Sequence, residues 1–556
     1  MVSTKYFLAI ILIISPLMRA SWDLWAQTII HLLTLFVILI LIFSKSSHSD
    51  PERSEGEESH TILPFHTSTS LPLFLFLFFC FISIFSSANL YESRNEFFNI
   101  LNYVVIFYFA KNVNKKYIVM PVLFIGVILS VYGFYQKFTV GGNVPSFMNN
   151  PNVFAGYLVG IIVLILGNVL TEQMFGKSCS SVISGGSDNF AGNRTNVRLN
   201  KCLPEQTFKF LFLLVFLIAM FFTGSVAGLL SVTAGFLFFL YLKKISLSKK
   251  YLFFTVGIIL FLIAIKLSEK ESFNRVIWWL SAGKMILAKP IFGVGLNAFA
   301  DAYQKYKLSG LNSIYAHNYF LQLASEIGIF GFAAFVWFLI KIFKFKKTPE
   351  NIPFFAASFA MLVHVIFDYA LLITANSILF WVLLGYCSKE EKLSRIFPTQ
   401  NQKVIFRWIS VFLISAMIYS QVMIFLASRD SARGKCSLDE KKYDDARIHF
   451  TKAIKCDDTN PQTYFFLSSV YQQYYKMTGY KSYLYEAEIE LLKASGFQKY
   501  NPQIYFDLYN IYYLRGDMQN ALVFMKKTLD AAPKSVYYKK CYETLLKEIY
   551  ENTQHK

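Results

Sequence analysis

Long apolar runs recur along this chain of 556 residues, and they restrict its fold more than any other feature. A run of about 17–25 apolar residues is long enough to cross a bilayer as a helix. Hydrophobic residues make up 55% of the chain, including 58 Phe, which is more apolar surface than a soluble fold requires. The pattern predicts an all-α polytopic membrane protein with about thirteen transmembrane helices. The predicted spans cover residues 5–19, 26–44, 71–87, 97–111, 117–136, 152–170, 207–223, 225–242, 251–267, 323–343, 353–370, 372–387 and 404–426.

Basic residues predict the orientation of these spans. The formal net charge is +19, but Lys and Arg cluster in short loops after even-numbered spans, as at Lys115 and Lys116. Cytoplasmic loops carry an excess of Lys and Arg, so the charge indicates topology and not nucleic-acid binding. The N-terminus is therefore predicted to be cytoplasmic, whereas residues 268–322 and the tail after residue 427 lie outside. In a bacterium this is the inner membrane with a periplasmic C-terminal domain. Two polar inserts, 45–70 and 172–205, are predicted to be poorly ordered cytoplasmic loops.

The tail, residues 427–556, differs in character from the membrane domain, residues 1–426. It is amphipathic and rich in Tyr, and proline recurs at Pro461, Pro502 and Pro533. Small residues in paired helices that end at a proline resemble the tetratricopeptide pattern. The tail is therefore predicted to be an extracytoplasmic helical-repeat (TPR-like) domain, which binds a protein partner or a glycan in its groove. The alternative is a cap that only stabilises the membrane domain.

Two polar motifs in the predicted external loop, 268–322, carry the chemistry. Arg275-Val-Ile-Trp278 opens an amphipathic stretch that ends at Pro290, and His317-Asn318 stands at the mouth of a strongly apolar segment. An ionisable ring at the water edge of a membrane helix is costly to bury and is usually functional. One fixed cation and one titratable base at a membrane surface suit chemistry on a lipid-linked phosphate.

Metal and cofactor chemistry find no support in the sequence. The seven cysteines are scattered, with no Cys-x-x-Cys pair and no His/Cys cluster at metal-ligand spacing. We therefore predict no metal site and no cofactor. Chemistry on a lipid-linked phosphate needs only a base for the attacking hydroxyl and a cation for the phosphate leaving group.

These motifs resemble the O-antigen ligase/polymerase superfamily of membrane glycosyltransferases, and the resemblance covers most of residues 90–390. Its strongest part runs from Arg275–Trp278 through Gly293-Val-Gly295 to His317-Asn318 and Gly331. Supporting pieces are Gly133-Phe-Tyr-Gln136, Asn150-Pro-Asn152 to Tyr157, and Phe367-Asp368-Tyr369. Their order and spacing carry the resemblance, since each short piece is weak alone.

The resemblance implies a catalytic base at His317 and a pyrophosphate ligand at Arg275. The donor is then undecaprenyl-pyrophosphate-linked glycan, and the acceptor is a glycan, a lipid or a protein. One departure stands out: Thr223-Gly224-Ser225-Val226 places Val226 where the family commonly has a second arginine. Either Lys137 or Lys284 replaces that arginine, or phosphate binding is weaker, or the protein is a diverged or inactive member.

Four further residues are predicted to bind substrate: Asn318, Glu326, Asn152 and Lys284. Glu326 either orients His317 or pairs with a basic neighbour, and Asn152 is also a helix cap. His364 and Asp368 are predicted to lie one helical turn apart, either as a buried structural pair or as a catalytic pair. The alternative function for the whole chain is a non-catalytic membrane scaffold or a lipid-linked glycan transporter. The apolar spans carry few charges, which argues against transport.

Overall fold

The computed structural model describes residues 2–21, 23–44, 69–183, 192–245, 270–388 and 400–554, with isolated positions between 248 and 268. Over these residues the protein is all-α, as predicted, and contains no strand beyond an isolated bridge between Asn89 and Gln498. The longer helices span Val2–Leu17, Leu24–Ser44, Ser70–Phe85, Leu90–Lys111, Lys116–Thr139, Pro151–Ile183, Gly192–Thr223, Val226–Leu242, Lys270–Ala288, Phe299–Tyr306, Tyr319–Phe343, Ile352–His364, Thr374–Cys387, Gln400–Asp439, Tyr443–Cys456, Pro461–Thr478, Ser482–Phe497, Pro502–Arg515, Met518–Ala531 and Val536–Gln554.

The membrane domain contains apolar helices of two lengths. Among the described residues, five stretches are long and apolar enough to cross a membrane: Leu24–Phe43, Lys116–Thr139, Pro151–Thr171, Tyr319–Phe343 and Arg407–Asp439. Shorter apolar helices include Ser70–Phe85 and Thr374–Cys387. The protein is therefore a multi-pass membrane protein, while the number thirteen stays a prediction. The predicted span 251–267 lies largely outside the described residues.

Close helix contacts hold the membrane domain together. Its core is rich in aromatic side chains, such as Phe338 stacked on Trp381 and Phe354 stacked on Tyr386. A Cβ at Gly385 would lie 2.3 Å from the carbonyl oxygen of Phe107. Helices Leu90–Lys111 and Thr374–Cys387 therefore approach so closely that a side chain at this position does not fit.

One polar insert is more regular than predicted. The helix that begins at Pro151 continues to Ile183, and the next helix begins at Gly192, so much of the predicted loop 172–205 is helical. The physical reason is that propagation of an existing helix gains one hydrogen bond for each residue fixed, whether or not that residue is apolar. The other insert, 45–70, lies outside the described residues except at its last two positions.

The tail is joined to the membrane domain by a continuous helix. Gln400–Asp439 crosses residue 426 without a break and ends at a turn where Lys441 has a φ of 61°. Helices Pro461–Thr478 and Ser482–Phe497 then form one hairpin, and Pro502–Arg515 and Met518–Ala531 form a second. The assignment of these hairpins to the tetratricopeptide class stays a prediction.

The two hairpins begin with the same three residues. Asn460 and Asn501 cap their helices by accepting a hydrogen bond from the backbone N–H of Gln462 and Gln503, at 3.0 and 2.9 Å. Pro follows each cap at the first helical position, where its missing N–H costs no hydrogen bond. Both first helices end at a glycine in the left-handed region, Gly479 or Gly516. The tail therefore contains an internal repeat of helical hairpins.

The tail packs against the membrane domain through a bidentate ion pair. Arg94 Nη2 lies 2.6 Å from Asp457 Oδ2, and Arg94 Nη1 donates to Asp457 Oδ1 at 3.2 Å. Burial alone would raise the pKa of Asp457, but the hydrogen bonds and charge of Arg94 outweigh it and hold the pKa below its ordinary value. A second contact joins the backbone N–H of Lys499 to the carbonyl of Ala88 at 2.9 Å.

Candidate functional site

The site is built on two helices, which we call the arginine helix (Lys270–Ala288) and the histidine helix (Tyr319–Phe343). The arginine helix carries Arg275, which is 3% exposed, and Trp278 one turn later. Residues three apart lie on the same face of a helix, so the guanidinium and the indole share one side. Arg275 is therefore buried against the protein, unlike an arginine that reaches out to lipid headgroups.

Three glycines allow the turn after the arginine helix to pack closely against the histidine helix. Gly293 and Gly295 have φ values of 67° and 106°, and Gly328, inside the histidine helix, has a φ of 77°. A Cβ at Gly293 would lie 2.2 Å from the carbonyl oxygen of Glu326, and one at Gly328 would lie 2.1 Å from that of Ile291. The Gly293–Gly295 turn thus requires glycine both for its backbone angles and for its close approach to the histidine helix.

Backbone hydrogen bonds fix this turn in place. The N–H groups of Val294 and Gly295 donate to the carbonyls of Ser325 and Glu326, at 2.9 and 3.0 Å. The N–H of Ile329 donates to Pro290 at 2.8 Å. The carbonyls of Ser325 and Glu326 are available because the histidine helix is kinked at Gly328. The turn and the kink therefore form one rigid unit beneath the site.

His317 lies immediately before the histidine helix, in a left-handed conformation with a φ of 51°. Its imidazole stacks on the indole of Trp278, with ring centroids 4.6 Å apart and planes inclined by 25°. The phenol of Tyr369 meets the same imidazole edge-on at 5.1 Å. Two aromatic rings therefore fix the orientation of the imidazole, and one of them belongs to the helix that carries Arg275.

Asn318 begins the histidine helix. Its side-chain Oδ1 accepts a hydrogen bond from the backbone N–H of Leu321 at 3.0 Å, which is the geometry of a helix cap. The next residue, Tyr319, donates its N–H to the carbonyl of Val365 at 2.9 Å. The cap fixes the point at which the chain leaves His317 and enters the helix.

Glu326 is 1% exposed and lies in the histidine helix, nine residues after His317. Its Oε1 accepts a hydrogen bond from the side-chain amide of Gln322 at 2.9 Å, and its Oε2 accepts one from the backbone N–H of Asn297, also at 2.9 Å. Gln322 in turn accepts a hydrogen bond from the N–H of Ala316 at 3.0 Å. This relay links the side chain of Glu326 to Ala316, the residue before His317.

Lys284 and Asn152 lie in different surroundings. Lys284 is exposed and is nine residues after Arg275, which places it on the opposite face of the arginine helix. Asn152 lies in the first turn of helix Pro151–Ile183, and its carbonyl contacts His364 Nε2 at 3.1 Å. The side chain that caps this helix is Asn150, which accepts from Asn152 N–H at 2.9 Å. The predicted cap is therefore wrong by two residues, since Pro151 occupies the first helical position.

The Thr223–Val226 segment is a helix start. Ser225 caps helix Val226–Leu242 by accepting from the N–H of Gly228 at 3.2 Å, so Val226 is the first helical residue. Lys137 lies nearby, with its ammonium 5.6 Å from the ring of Phe222 and 2.8 Å from the carbonyl oxygen of Gly142. Of the two lysines predicted to replace the second arginine, Lys137 is thus the one beside this segment.

His364 and Asp368 are not on one helical face, contrary to the prediction. Helix Ile352–His364 ends at His364, and Asp368 lies beyond the turn that follows. The N–H of Phe367 donates to the carbonyl of His364 at 3.1 Å. This hydrogen bond spans three residues, as in a 3₁₀ turn, and it ends the α-helix. Both side chains are nonetheless buried.

A polar stripe on helix Leu90–Lys111 was missed by the sequence reasoning. Glu92 accepts a hydrogen bond from the side-chain amide of Asn297 at 3.2 Å, and Glu96 accepts one from Asn99 at 2.8 Å. The signal was present: Glu92, Asn95, Glu96, Asn99 and Asn102 recur at helical spacing before and within a predicted span. Acidic and amide groups on such a helix are functional candidates by default.

The described structure is that of a multi-pass, all-α membrane protein whose polar site combines an arginine helix with a histidine loop. Residues 211–336 match the family described as O-antigen ligase, and the match includes both Arg275 and His317. This match bears out the resemblance that the motifs carry and supports an O-antigen ligase-like membrane glycosyltransferase. No curated protein matches the chain.

Proposed function

We propose that the protein transfers a glycan from undecaprenyl pyrophosphate to an acceptor hydroxyl at the outer face of a bacterial inner membrane. The observation that carries the proposal is the stacking of His317 on Trp278, in the helix that bears Arg275. A base and a phosphate ligand must reach one substrate, so they must lie close together. The O-antigen ligase match over residues 211–336 supports the same class of reaction.

In the proposed reaction, His317 removes the proton from the acceptor hydroxyl as its oxygen attacks the anomeric carbon of the donor sugar. The bond between that carbon and the pyrophosphate oxygen breaks, and its electron pair leaves with the polyprenyl pyrophosphate. Arg275 holds the developing charge, because a guanidinium matches two phosphate oxygens in a fork and keeps its own charge. A single displacement inverts the configuration of the anomeric carbon.

The other predicted residues act around this pair. Asn318 and Glu326 position the loop that carries His317 through the helix cap and the relay to Ala316. Lys137 is the candidate for the second phosphate contact, since it lies beside Phe222 and the segment where Val226 replaces arginine. Asn152 and Lys284 remain predicted substrate ligands. They would contact parts of the substrate that extend away from Arg275.

The test is a transfer assay with the full-length protein in lipid nanodiscs. Undecaprenyl-pyrophosphate glycan is supplied with lipid, glycan and peptide acceptors, and the anomeric configuration of the product is determined. We expect transfer with inversion by the wild type and a large loss in Arg275→Lys, because a point charge does not reproduce the bidentate fork. Retained configuration contradicts the single displacement.

Two further variants separate catalysis from the alternative of a membrane scaffold. If the wild type transfers nothing, Val226→Arg restores the missing arginine, and transfer by this variant identifies a diverged member of the family. Absence of transfer by both proteins with every acceptor favours the scaffold. The tail is placed outside by the same proposal, so a cysteine engineered at Lys534 should be labelled in intact spheroplasts.

A further inference from the structure

A polar cavity lies between the tail and the membrane domain, away from the arginine helix. Its main part has a volume of about 510 Å³, and an adjoining part has about 300 Å³. Pockets that bind small molecules generally have roughly 300–1,000 Å³. Six residues line both parts: Tyr91, Glu92, Asn297, Tyr315, Asn460 and Gln462. Asn460 and Gln462 belong to the tail, so both domains enclose this space.

The lining has the chemistry of a site for sugar hydroxyls. Carboxyl groups come from Asp23, Glu92, Glu96 and Asp301, and the other polar groups are mostly side-chain amides and the phenols of Tyr91 and Tyr315. Carboxylates and amide oxygens accept hydrogen bonds from hydroxyl groups, and amide nitrogens donate to hydroxyl oxygens. None of the described residues that line either part is Lys, Arg or His. A phosphate or a carboxylate would therefore find no cation in this lining to offset the loss of its hydration.

The cavity is also connected to the proposed catalytic groups. Tyr315, in its lining, stacks on Tyr369 with centroids 3.9 Å apart, and Tyr369 contacts the imidazole of His317. On the other side, Asn297 donates to Glu92 through its side chain and to Glu326 through its backbone. A molecule in the cavity therefore lies next to the loop that carries His317.

Fixed contacts hold the tail over this space. Asp301, a lining residue, accepts hydrogen bonds from Asn89 of the membrane domain at 3.2 Å and from Gln498 of the tail. Burial raises the pKa of this carboxyl above its ordinary value. The Arg94–Asp457 pair stands three residues from Asn460 along the tail. These hydrogen bonds and this ion pair therefore fix the tail residues that line the cavity against the membrane domain.

We propose that this cavity binds a glycan segment that carries no phosphate or carboxylate, and that the tail contributes Asn460 and Gln462 to its binding. The inference rests on the proposed function, because it makes the occupant part of a transferase substrate. The tail then forms part of the substrate site itself, in addition to any partner that it binds. The glycan segment belongs either to the acceptor or to the sugar part of the donor, which have the same chemistry here.

The repeat in the tail supplies a matched pair of variants. Gln462→Trp introduces a bulky ring at the roof of the cavity. Gln503→Trp places the same ring at the equivalent position of the next hairpin, where Gln503 is exposed and bonds to Asp507 outside the cavity. Both glutamines follow an Asn-Pro pair at a helix start, so the two substitutions fall at equivalent positions of their helices.

Binding is measured with the full-length protein in nanodiscs on an array of uncharged, amino and acidic oligosaccharides. Nanodiscs replace maltoside detergents, whose sugar headgroups would compete. We expect the wild type and Gln503→Trp to bind uncharged or amino oligosaccharides, and Gln462→Trp to lose this binding. Equal binding of acidic oligosaccharides, unchanged binding by Gln462→Trp, or a wild type that binds no oligosaccharide would each overturn the proposal.

Two further experiments identify the substrate that supplies the glycan, and they test the cavity independently of the proposed transferase activity. In transfer assays, Gln462→Trp should raise KM for the acceptor if the acceptor occupies the cavity, or KM for the donor if the donor sugar does. A variant with both KM values unchanged contradicts the inference while leaving the transferase intact. His317→Ala should bind oligosaccharides as the wild type does, so loss of the proposed catalysis does not imply loss of the cavity.

Discussion

The contact between Arg94 and Asp457 decides whether the tail stays docked on the membrane domain, and Arg94→Ala is the perturbation that tests it. The side chain of Asp457 is 4% exposed and that of Arg94 is 27% exposed. Arg94 makes two hydrogen bonds to the carboxylate, at 2.6 and 3.2 Å. Removal of the guanidinium therefore leaves a nearly buried carboxylate without its cation.

The cost lies between two limits. Exposed ion pairs contribute about 0–1 kcal/mol, whereas breaking a fully buried pair costs about 3–5 kcal/mol. The partial exposure of Arg94 places this pair between them, at about 2 kcal/mol. Each 1.4 kcal/mol is about a factor of ten in an equilibrium constant, so the undocked fraction should rise roughly 30-fold.

The assay is hydrogen exchange of the full-length protein in nanodiscs. We expect faster exchange in Arg94→Ala at the start of helix Leu90–Lys111 and around residues 457–463, where the two domains meet. The matched control is Arg433→Ala, which removes an exposed arginine 4.0 Å from Asp430 within the tail. Unchanged exchange at both sides of the interface in Arg94→Ala would refute the docking role of the pair.

Three other predictions concern the site and the tail. Glu326→Ala should lower kcat while the protein still inserts into the membrane. The side-chain amide of Gln322 and the backbone N–H of Asn297 each lose an acceptor, which costs about 1–3 kcal/mol each. Glu326→Gln keeps one acceptor and should be intermediate in the same kinetic assay. Gly293→Ala should reduce the amount of folded protein recovered from membranes, since a Cβ there would lie 2.2 Å from the Glu326 carbonyl oxygen, whereas Gly283→Ala, with nothing within 4 Å, should not. Burial raises the pKa of Asp507 from 3.8 to about 6, so the folded state binds the proton of this carboxyl more tightly than the unfolded state does. The stability of helix Pro502–Arg515 should therefore fall as the pH rises from 3.8 through 6 and should level off above. Hydrogen exchange of that helix, corrected for intrinsic rates, should show this trend in the wild type and not in Asp507→Asn.

Local patterns in the sequence predicted a large part of the architecture. Apolar runs gave the helical membrane domain, because a run's length and composition alone decide whether it suits a bilayer. Two glycines one residue apart, Gly293 and Gly295, suit a tight turn, and both have positive φ values in the structure. The His317-Asn318 pair marked a helix start, which the cap from Asn318 to Leu321 explains.

Contacts between distant segments were beyond these patterns. Arg94 and Asp457 are 363 residues apart in the chain, and neither stands in a motif that predicts the other. The same holds for the cavity, where Tyr91 and Gln462 come together only because the tail folds back on the membrane domain. The stacking of Trp278 on His317 also depends on the turn between their helices, so no local pattern around Trp278 predicts it.

The central claim is that His317 is the base for glycan transfer, and the single-turnover rate of His317→Ala tests it most directly. The protein is assayed in nanodiscs with saturating undecaprenyl-pyrophosphate glycan and acceptor, beside His449→Ala, which removes a histidine of the tail. Loss of a positioned base typically costs about 10²–10⁴ in rate. We predict a loss of this size in His317→Ala and none in His449→Ala, while transfer by His317→Ala at the wild-type rate would contradict the account.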